Sequence, residues 1–392
     1  MNDNRKKKRK AGPVIMFIAI MAIGAVVGYL GGYLIGQTGG VGFWFLLILI
    51  ISLCLAYILQ IVIHEAGHLV CGLLSGYRFV SFRVGSFMIA RCSGKMEFRR
   101  YSLVGTGGQC LLVPPDMEAG WIPYKLYNLG GVLFNFLTAG LFFIIWHYIA
   151  RNTPMAALCL FNALFGVAGG LMNGLPLRLG GVDNDGRNMV SLGKHPESLR
   201  AFWLQLKVNA VQMEGTRLKD MPAEWFALSD DWPRDNSVCT AVAVMACSRA
   251  VDRMEFERAA RMAAALMDEK NDLIPLYSNI LTIELIFAEL VGENRKEELD
   301  QMWTKGFDKF LKAMKNYPAV IRLQYGYELL ANGDGKAALK KQQEFEKVAR
   351  SYPFAGDLKS EREIMDYAEK LVKVRAEQAG ADADERGEND GY

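Results

Sequence analysis

Apolar residues dominate the first half of this chain, and charged residues become frequent only in the second half. From Ala11 to Ile63 the sequence contains no Asp, Glu, Lys or Arg. A helix needs about 20 consecutive, mostly apolar residues to cross the hydrocarbon core of a bilayer. The pattern therefore predicts an all-α membrane domain with about four spans. These spans lie at about residues 13–35, 42–74, 129–150 and 154–175.

Between the second and third spans the pattern changes from helical to extended. The segments 77–90 and 95–101 are rich in aromatic and β-branched residues, and Ser93-Gly94 supplies a turn between them. This predicts a small β-hairpin over residues 77–101 on the cytoplasmic side. An open edge of the Tyr77–Ala90 strand would allow an extended peptide to pair with its backbone.

Beyond about residue 191 the spacing of apolar residues favours a soluble all-α domain that extends to residue 375. Tyr317-Pro318 and Tyr352-Pro353 enclose a helix-turn-helix pattern of tetratricopeptide length, although an irregular helical domain fits nearly as well. The acidic tail, residues 376–392, has few apolar residues and predicts disorder. The predicted helices cover residues 237–250, 255–267, 273–291, 297–316, 319–332, 335–351 and 359–377.

Charge and cysteine content narrow the functional class. The net charge of +3 is too small to indicate nucleic-acid binding, and the seven scattered cysteines form no pattern of a disulfide framework. The basic N-terminal segment, residues 1–12, precedes the first span, so the positive-inside rule places it in the cytoplasm. The same rule predicts that the basic segment 77–128 and the C-terminal half of the chain also lie on the cytoplasmic side. We therefore expect a multi-pass cell-membrane protein with both termini in the cytoplasm.

The second span contains the run His64-Glu65-Ala66-Gly67-His68, which holds two of the four histidines of the chain. On a helix His64 and His68 are one turn apart and share a face, so both imidazoles can reach one metal ion. Glu65 is placed to accept a proton from a water molecule that the metal activates. Ionisable groups at membrane depth are costly and usually functional. This run therefore predicts a metal site.

A catalytic zinc site needs a third protein ligand. Residues that follow the fourth span offer two candidates, Asp185 as the first choice and Asp183 as the reserve. Asn135 and Asn173 are amides in apolar helices, where an amide without a hydrogen-bond partner is costly. We expect both near the metal, although hydrogen bonding between helices would explain them equally well.

Three segments in this order resemble the site-2 protease family of intramembrane zinc metalloproteases. They are the His64–His68 run, the Gly-Gly-Val-Leu-Phe-Asn segment that ends at Asn135, and Asn173-x-x-Pro176 followed by Asp185-Gly186. The resemblance covers about residues 42–190. The segment between Pro176 and Asp185 is longer than is usual in that family, which leaves the choice between Asp185 and Asp183 open.

The resemblance implies a set of roles. Zn²⁺ would be bound by His64, His68 and Asp185, Glu65 would be the general base, and Asn135 and Asn173 would position the substrate. The chain would then be an endopeptidase that cleaves a transmembrane or membrane-proximal segment of a protein substrate, within a transmembrane metalloprotease domain at residues 13–190.

Two other functions are compatible with parts of the sequence. A membrane-anchored adaptor would bind a cytosolic protein through its helical domain and would carry a metal site without proteolytic activity. A metal transporter would need polar residues through several helices, whereas these spans are strongly apolar. The intact Glu65 favours the protease over the adaptor.

Overall fold

The computed structural model describes residues 28, 32, 43–92, 94–102, 106–150, 153–179, 181–229, 232–233, 236–268 and 273–389. The basic segment 1–12 lies outside the described residues. So does the predicted first span, 13–35, except for Gly28 and Gly32. The chain divides into two compact units. The first comprises Met1–Phe98 and Gly105–Leu206, and the second comprises Arg99–Val104 and Lys207–Tyr392.

Three long helices form the centre of the first unit: α1 (Phe43–Leu74), α2 (Tyr124–Tyr148) and α3 (Pro154–Gly174). Each is long and apolar enough to cross a membrane, which indicates a membrane protein. The start of α3 is well defined, because the Thr153 hydroxyl accepts a hydrogen bond from the Ala156 N–H and Pro154 occupies the first helical position.

Glycines allow α1 and α2 to approach closely. A side chain at Gly67 would collide with the backbone carbonyl of Gly130, and a side chain at Gly130 would collide with that of Gly67. Small residues at a crossing let the backbones of membrane helices come into contact. This contact lies within the His64–His68 run, so it determines how closely α2 approaches the two histidines.

Four antiparallel strands follow α1, where the sequence predicts only a hairpin. They are β1 (Arg78–Val84), β2 (Phe87–Cys92), β3 (Lys95–Arg100) and β4 (Gly108–Val113), in the order β3-β2-β1-β4. The predicted strand Tyr77–Ala90 is divided by a two-residue turn, because Gly85 has a positive φ of 58° and Val84 pairs with Phe87.

The sheet order also corrects the predicted peptide-binding edge. Residues 77–90 fall on β1 and β2, and each of these strands has a neighbour on both sides. Their backbone groups are therefore engaged within the sheet. The outer strands are β3 and β4, and β4 lies against α1 beside Glu65.

A short connection leads from α3 to the remainder of the first unit. It contains a minimal ladder of β5 (Arg178–Leu179) and β6 (Val182–Asp183), and then α4 (Asp185–Ser191). The next helix, α5, runs from Pro196 to Met213.

From Lys207 onward the second unit is helical in the part of it that the structure describes. A core of buried apolar side chains, among them Leu281, Phe287 and Val320, lies between its helices. The helices are α6 (Ser237–Asp252), α7 (Phe256–Asp268), α8 (Pro275–Val291), α9 (Lys296–Met302), α10 (Lys305–Ala313), α11 (Pro318–Gly326), a π-helical turn (Tyr327–Ala331), α12 (Gly335–Ala349) and α13 (Ala355–Asn389).

One sequence prediction for this unit is wrong. The single helix predicted over residues 297–316 is divided into α9 and α10, because the Thr304 hydroxyl caps the N-terminus of α10 by accepting from the Phe307 N–H. The last helix continues to Asn389. The disordered tail that the sequence predicts, residues 376–392, stays a prediction. Ala, Glu and Arg are frequent there and are strong helix formers even without an apolar face.

Candidate metal centre

The structure brings His64, His68 and Asp185 together. The two Nε2 atoms are 3.1 Å apart, and Asp185 Oδ2 lies 3.2 Å from Nε2 of His64 and 3.3 Å from Nε2 of His68. The histidines are on one face of α1, as their spacing predicts, and the aspartate is the first residue of α4. Each residue offers one ligand atom to a common point.

The size of this triangle matches a tetrahedral zinc site. Zinc binds histidine nitrogen and carboxylate oxygen at about 2.0–2.2 Å, so two ligand atoms of a tetrahedral site are about 3.3 Å apart. All three distances of the triangle are close to that value. A catalytic zinc site has three protein ligands and one open position. The residues present therefore fit such an ion.

The other nitrogen of each imidazole has a partner suited to a metal ligand. His64 Nδ1 lies 2.7 Å from Asn135 Oδ1, and His68 Nδ1 lies 2.8 Å from the carbonyl oxygen of Tyr127. These oxygens only accept hydrogen bonds, so each Nδ1 carries the proton and each Nε2 presents its lone pair. Two lone pairs and a carboxylate oxygen then face each other, an arrangement that a cation stabilises.

Asparagine and glycine place Asp185 at the end of α3. The Asn184 amide donates to the carbonyl oxygens of Met172 (2.7 Å) and Leu175 (2.6 Å), and its Oδ1 accepts from the Arg187 N–H (3.0 Å) and caps α4. Gly186 packs against the backbone of Gly174 so closely that a side chain would collide with it. The pair Asp185-Gly186 is therefore held directly below the last turn of α3.

Asp183, the reserve ligand, has other partners. Its Oδ1 lies 2.8 Å from Nε of Arg178 and 2.9 Å from Nε of Arg187, and its side chain is almost fully buried. It is not a member of the cluster that His64 and His68 form.

Electrostatics favours an ionised Asp185. Burial raises its pKa, whereas positive charge on the facing imidazoles of His68 and His64 outweighs burial and holds the pKa well below its ordinary value. With both imidazoles neutral, a bound cation would supply that positive charge instead. The Cys110 thiol on β4 behaves differently, because burial and the nearby Glu65 carboxylate raise its pKa above its ordinary value. Cys110 is therefore a neutral thiol near neutral pH, and it is not a member of the cluster that His64, His68 and Asp185 form.

Glu65 lies beside the cluster and is not one of its three members. Its carboxylate is buried against β4, and a Cβ built on Gly108 would lie 2.6 Å from Oε1. The backbone N–H of Cys110 interacts with the same carboxylate. Glu65 therefore has a defined position next to the ligand atoms, as a base that is not itself a ligand requires.

The predicted substrate residues have different surroundings. Asn173 is half-buried, and its amide donates to the carbonyl oxygen of Gly169 one turn earlier (3.1 Å). Both ends of the Asn135 amide are used, by His64 at 2.7 Å and by the Gln60 side chain at 2.9 Å. Neither arrangement tests a contact with substrate, so both assignments stay predictions.

Sequence reasoning did not identify three other polar residues near the site: Tyr127, Gln60 and Asn184. Tyr127 supports His68 through its backbone, so its residue type carries no signal. Gln60 has a signal, because it is an amide in a charge-free helix and stands one turn before His64. Asn184 stands directly before Asp185, a common arrangement for a helix cap.

No model of a known family, no curated protein and no solved structure matches this chain. The fold and the site themselves define a membrane protein with a candidate three-ligand metal centre within its apolar helices.

Proposed function

We propose that this protein is an intramembrane zinc metalloendopeptidase of the site-2 protease type. It hydrolyses a peptide bond in or near a transmembrane segment of a membrane-protein substrate. The observation that supports this function most strongly is the triangle of His64, His68 and Asp185, with Glu65 beside it as a carboxylate outside the ligand set. Two histidine ligands and a carboxylate base within one helical turn are the arrangement by which metalloproteases activate water, and here the helix is of membrane length.

His64, His68 and Asp185 would hold the ion. Bound Zn²⁺ supplies a Lewis acid that polarises the scissile carbonyl and lowers the pKa of water toward about 7. Glu65 accepts the proton of the attacking water and transfers it to the leaving amine. The contact of Glu65 with Gly108 and Cys110 limits the rotation of the carboxylate and holds it toward the ligands. The surrounding apolar helices exclude bulk water, which strengthens these electrostatic interactions.

The substrate must be locally unwound, because the carbonyl groups of a helix are hydrogen-bonded within the helix. We assign its presentation to β4, an outer strand that borders Glu65, in place of the Tyr77–Ala90 strand that the sequence predicts. Asn173, close to Asp185 at the end of α3, is proposed to position the substrate backbone. The family resemblance implies the same substrate-positioning role for Asn135. The hydrogen bonds of Asn135 also support a different role, which is described below.

The membrane arrangement completes the proposal. We propose four spans, as the sequence predicts, with the first at residues 13–35. We also assign the basic segment 1–12 and the helical second unit to the cytoplasmic side of a cell membrane. The second unit would bind a cytosolic protein, with α11 and α12 as a tetratricopeptide-like pair between two Tyr-Pro pairs.

The test compares wild type with Glu65→Gln by quantitative membrane proteomics and by zinc analysis of the purified proteins. Glu65→Gln removes the base and leaves all three ligands, so we expect single-span fragments to accumulate while zinc content stays stoichiometric. Glu118→Gln, an exposed carboxylate of the same unit, is the matched control and leaves both unchanged. An adaptor would retain its function in Glu65→Gln, and absence of zinc from the wild-type protein would exclude the protease.

A further inference from the structure

Three buried amide side chains form a chain that leads away from His64 through all three membrane helices. Gln60 lies on α1 one turn before His64, Asn135 on α2 and Asn162 on α3, and each is at most 5 % exposed. The proposed hydrolysis uses neither Gln60 nor Asn162. Polar groups buried in an apolar helix bundle are costly unless their hydrogen bonds are made, so this chain requires an explanation.

The hydrogen bonds of this chain have one consistent direction. The Asn162 amide donates to the backbone carbonyl of Leu158 (2.9 Å), which can only accept, so Oδ1 of Asn162 is free to accept from Nε2 of Gln60 (3.4 Å). Oε1 of Gln60 then accepts from Nδ2 of Asn135 (2.9 Å). Oδ1 of Asn135 remains as the acceptor for Nδ1 of His64 (2.7 Å). The backbone carbonyl oxygen of Gln60 also accepts from Nδ2 of Asn135 (3.3 Å). The Leu158 carbonyl thus determines the orientation of Asn162 and Gln60, and Gln60 holds Asn135 through two acceptors.

The two histidines therefore depend on different kinds of support. A backbone carbonyl of α2 orients His68 directly, and no side-chain substitution removes it. His64 is oriented by the side chain of Asn135, and a reversed Asn135 amide would turn its NH₂ group toward the imidazole. That orientation would move the proton of His64 to Nε2 and would remove its lone pair from the ligand triangle. Gln60 opposes this orientation by requiring a donor at Nδ2 of Asn135.

We propose that Gln60, Asn135 and Asn162 are positioning residues that hold the His64 imidazole as the Nδ1–H tautomer, with its Nε2 lone pair directed to the metal. This inference rests on the proposed function in that the triangle binds Zn²⁺. Outer hydrogen-bond partners of this kind fix the tautomer and the ring orientation of metal-binding histidines. The role differs from a contact with substrate and from simple hydrogen bonding between helices, because it acts on metal affinity.

The test measures Zn²⁺ affinity of the purified full-length protein by competition with a chelator. Asn135→Leu removes the acceptor of His64, and we expect about 10–100-fold weaker binding. Gln60→Leu and Asn162→Leu leave that acceptor and weaken the hydrogen bonds that orient it. The backbone carbonyl of residue 60 still accepts from Nδ2 of Asn135, so their losses should be smaller and should decrease in this order. Gln60→Glu, whose neutral acid retains an acceptor for Asn135 and a donor for Asn162, should recover most of the affinity that Gln60→Leu loses.

Asn128→Leu is the matched control. Asn128 is a buried amide of α2 that donates to the Tyr124 carbonyl of its own helix (2.8 Å), so its replacement should not change Zn²⁺ affinity. Thermal unfolding of the metal-free proteins is measured in parallel. Variants that are less stable without metal but bind Zn²⁺ with wild-type affinity would assign the amides to helix packing and would overturn the proposal.

The outcomes also separate this inference from the proposed function. In one outcome, zinc binding depends on Gln60 and Asn135 while Glu65→Gln leaves the membrane proteome unchanged. That result would contradict the proposed protease function and would support the positioning role. A wild-type protein that binds no Zn²⁺ overturns both proposals.

Discussion

Gly131 on α2 lies directly against the imidazole of His64. A Cβ built on Gly131 would be 2.5 Å from Cε1 and 2.7 Å from Nδ1 of His64, and 2.7 Å from Nε2 of His68. Carbon and nitrogen atoms without a bond between them do not approach this closely, so any side chain at position 131 must move one or both rings. The bare backbone of α2 therefore forms one wall of the candidate metal centre.

Gly131→Ala should damage the metal centre without removing a ligand. The added methyl group displaces the rings of His64 and His68, and we expect Zn²⁺ affinity and proteolytic activity to fall, the activity by about 10²-fold as is typical of a misplacement near 1 Å. Gly140→Ala is the control on the same helix, because a Cβ at Gly140 would have no atom within 4 Å. Equal Zn²⁺ affinity of the two variants would show that the rings accommodate the methyl group.

Asp185→Asn and Asp183→Asn separate the two candidate ligands. Asp185→Asn replaces the charged oxygen that faces both Nε2 atoms by a neutral amide, and we expect the purified protein to contain less than stoichiometric zinc. Asp183→Asn leaves Arg178 and Arg187 without their anionic partner, so thermal stability should fall while zinc content is retained. Elemental analysis of both variants decides the question, and the reverse result would make Asp183 the ligand.

The sequence predicts much of the candidate site, because helix geometry makes the spacing of His64 and His68 sufficient to place both imidazoles on one face. The sequence alone does not distinguish between the two candidates for the third ligand. Asp183 and Asp185 are two residues apart in one connection, and only folding reveals that arginines neutralise the first while the Asn184 cap directs the second. Contacts between segments distant in sequence carry this information.

The sheet and the amide chain show why the rest was not predicted. β4 follows a glycine-containing stretch and has only six residues, and its pairing with β1 depends on the three-dimensional arrangement. Gln60 stands one turn before His64, which is a sequence signal, but Gln60 and Asn162 are single amides in apolar helices and no periodic pattern indicates their partners. Their meaning appears only when three helices bring them into contact with Asn135.

Arg322→Met should destabilise the helical second unit strongly. Arg322 is fully buried, donates to Glu284 (2.8 Å) and Glu361 (2.5 Å), and lies over the ring of Phe287. Breaking a buried ion pair by removing one partner leaves an uncompensated charge and costs about 3–5 kcal/mol. Hydrogen exchange of peptides from α8, α11 and α13 in the full-length protein measures this loss.

The control for that prediction is Arg258→Met. Arg258 lies on α7 and forms a solvent-exposed pair with Glu255 (2.8 Å), and exposed ion pairs contribute little to stability. Exchange should be unchanged in this variant. Comparable protection in Arg322→Met and Arg258→Met would mean that the buried carboxylates near Arg322 take up protons or water without cost.

The stability of the second unit should decrease as the pH rises from about 5 to about 8. Burial raises the pKa of Asp357 to about 6 and that of Glu361 to about 8, and the negative charge of Glu284 adds to both shifts. Arg322 lowers both pKa values but does not cancel these effects. Tyr352 donates to Asp357 (2.8 Å), which lowers its pKa without cancelling the effect of burial. The folded unit therefore binds more protons than the unfolded chain throughout this interval, and the free energy of unfolding falls with pH.

This pH dependence can be assigned to the buried carboxyl groups, because residues 207–392 contain no histidine that would titrate in the same interval. Surface carboxylates such as Glu346 and Glu363 have lowered pKa values owing to their arginine partners, so they affect stability only at lower pH. Hydrogen exchange of α11 and α13, corrected for the intrinsic pH dependence of exchange, should reveal opening that becomes easier with rising pH. Glu361→Gln keeps this position neutral at every pH and should make the profile flatter, whereas an unchanged slope would assign the dependence to other groups.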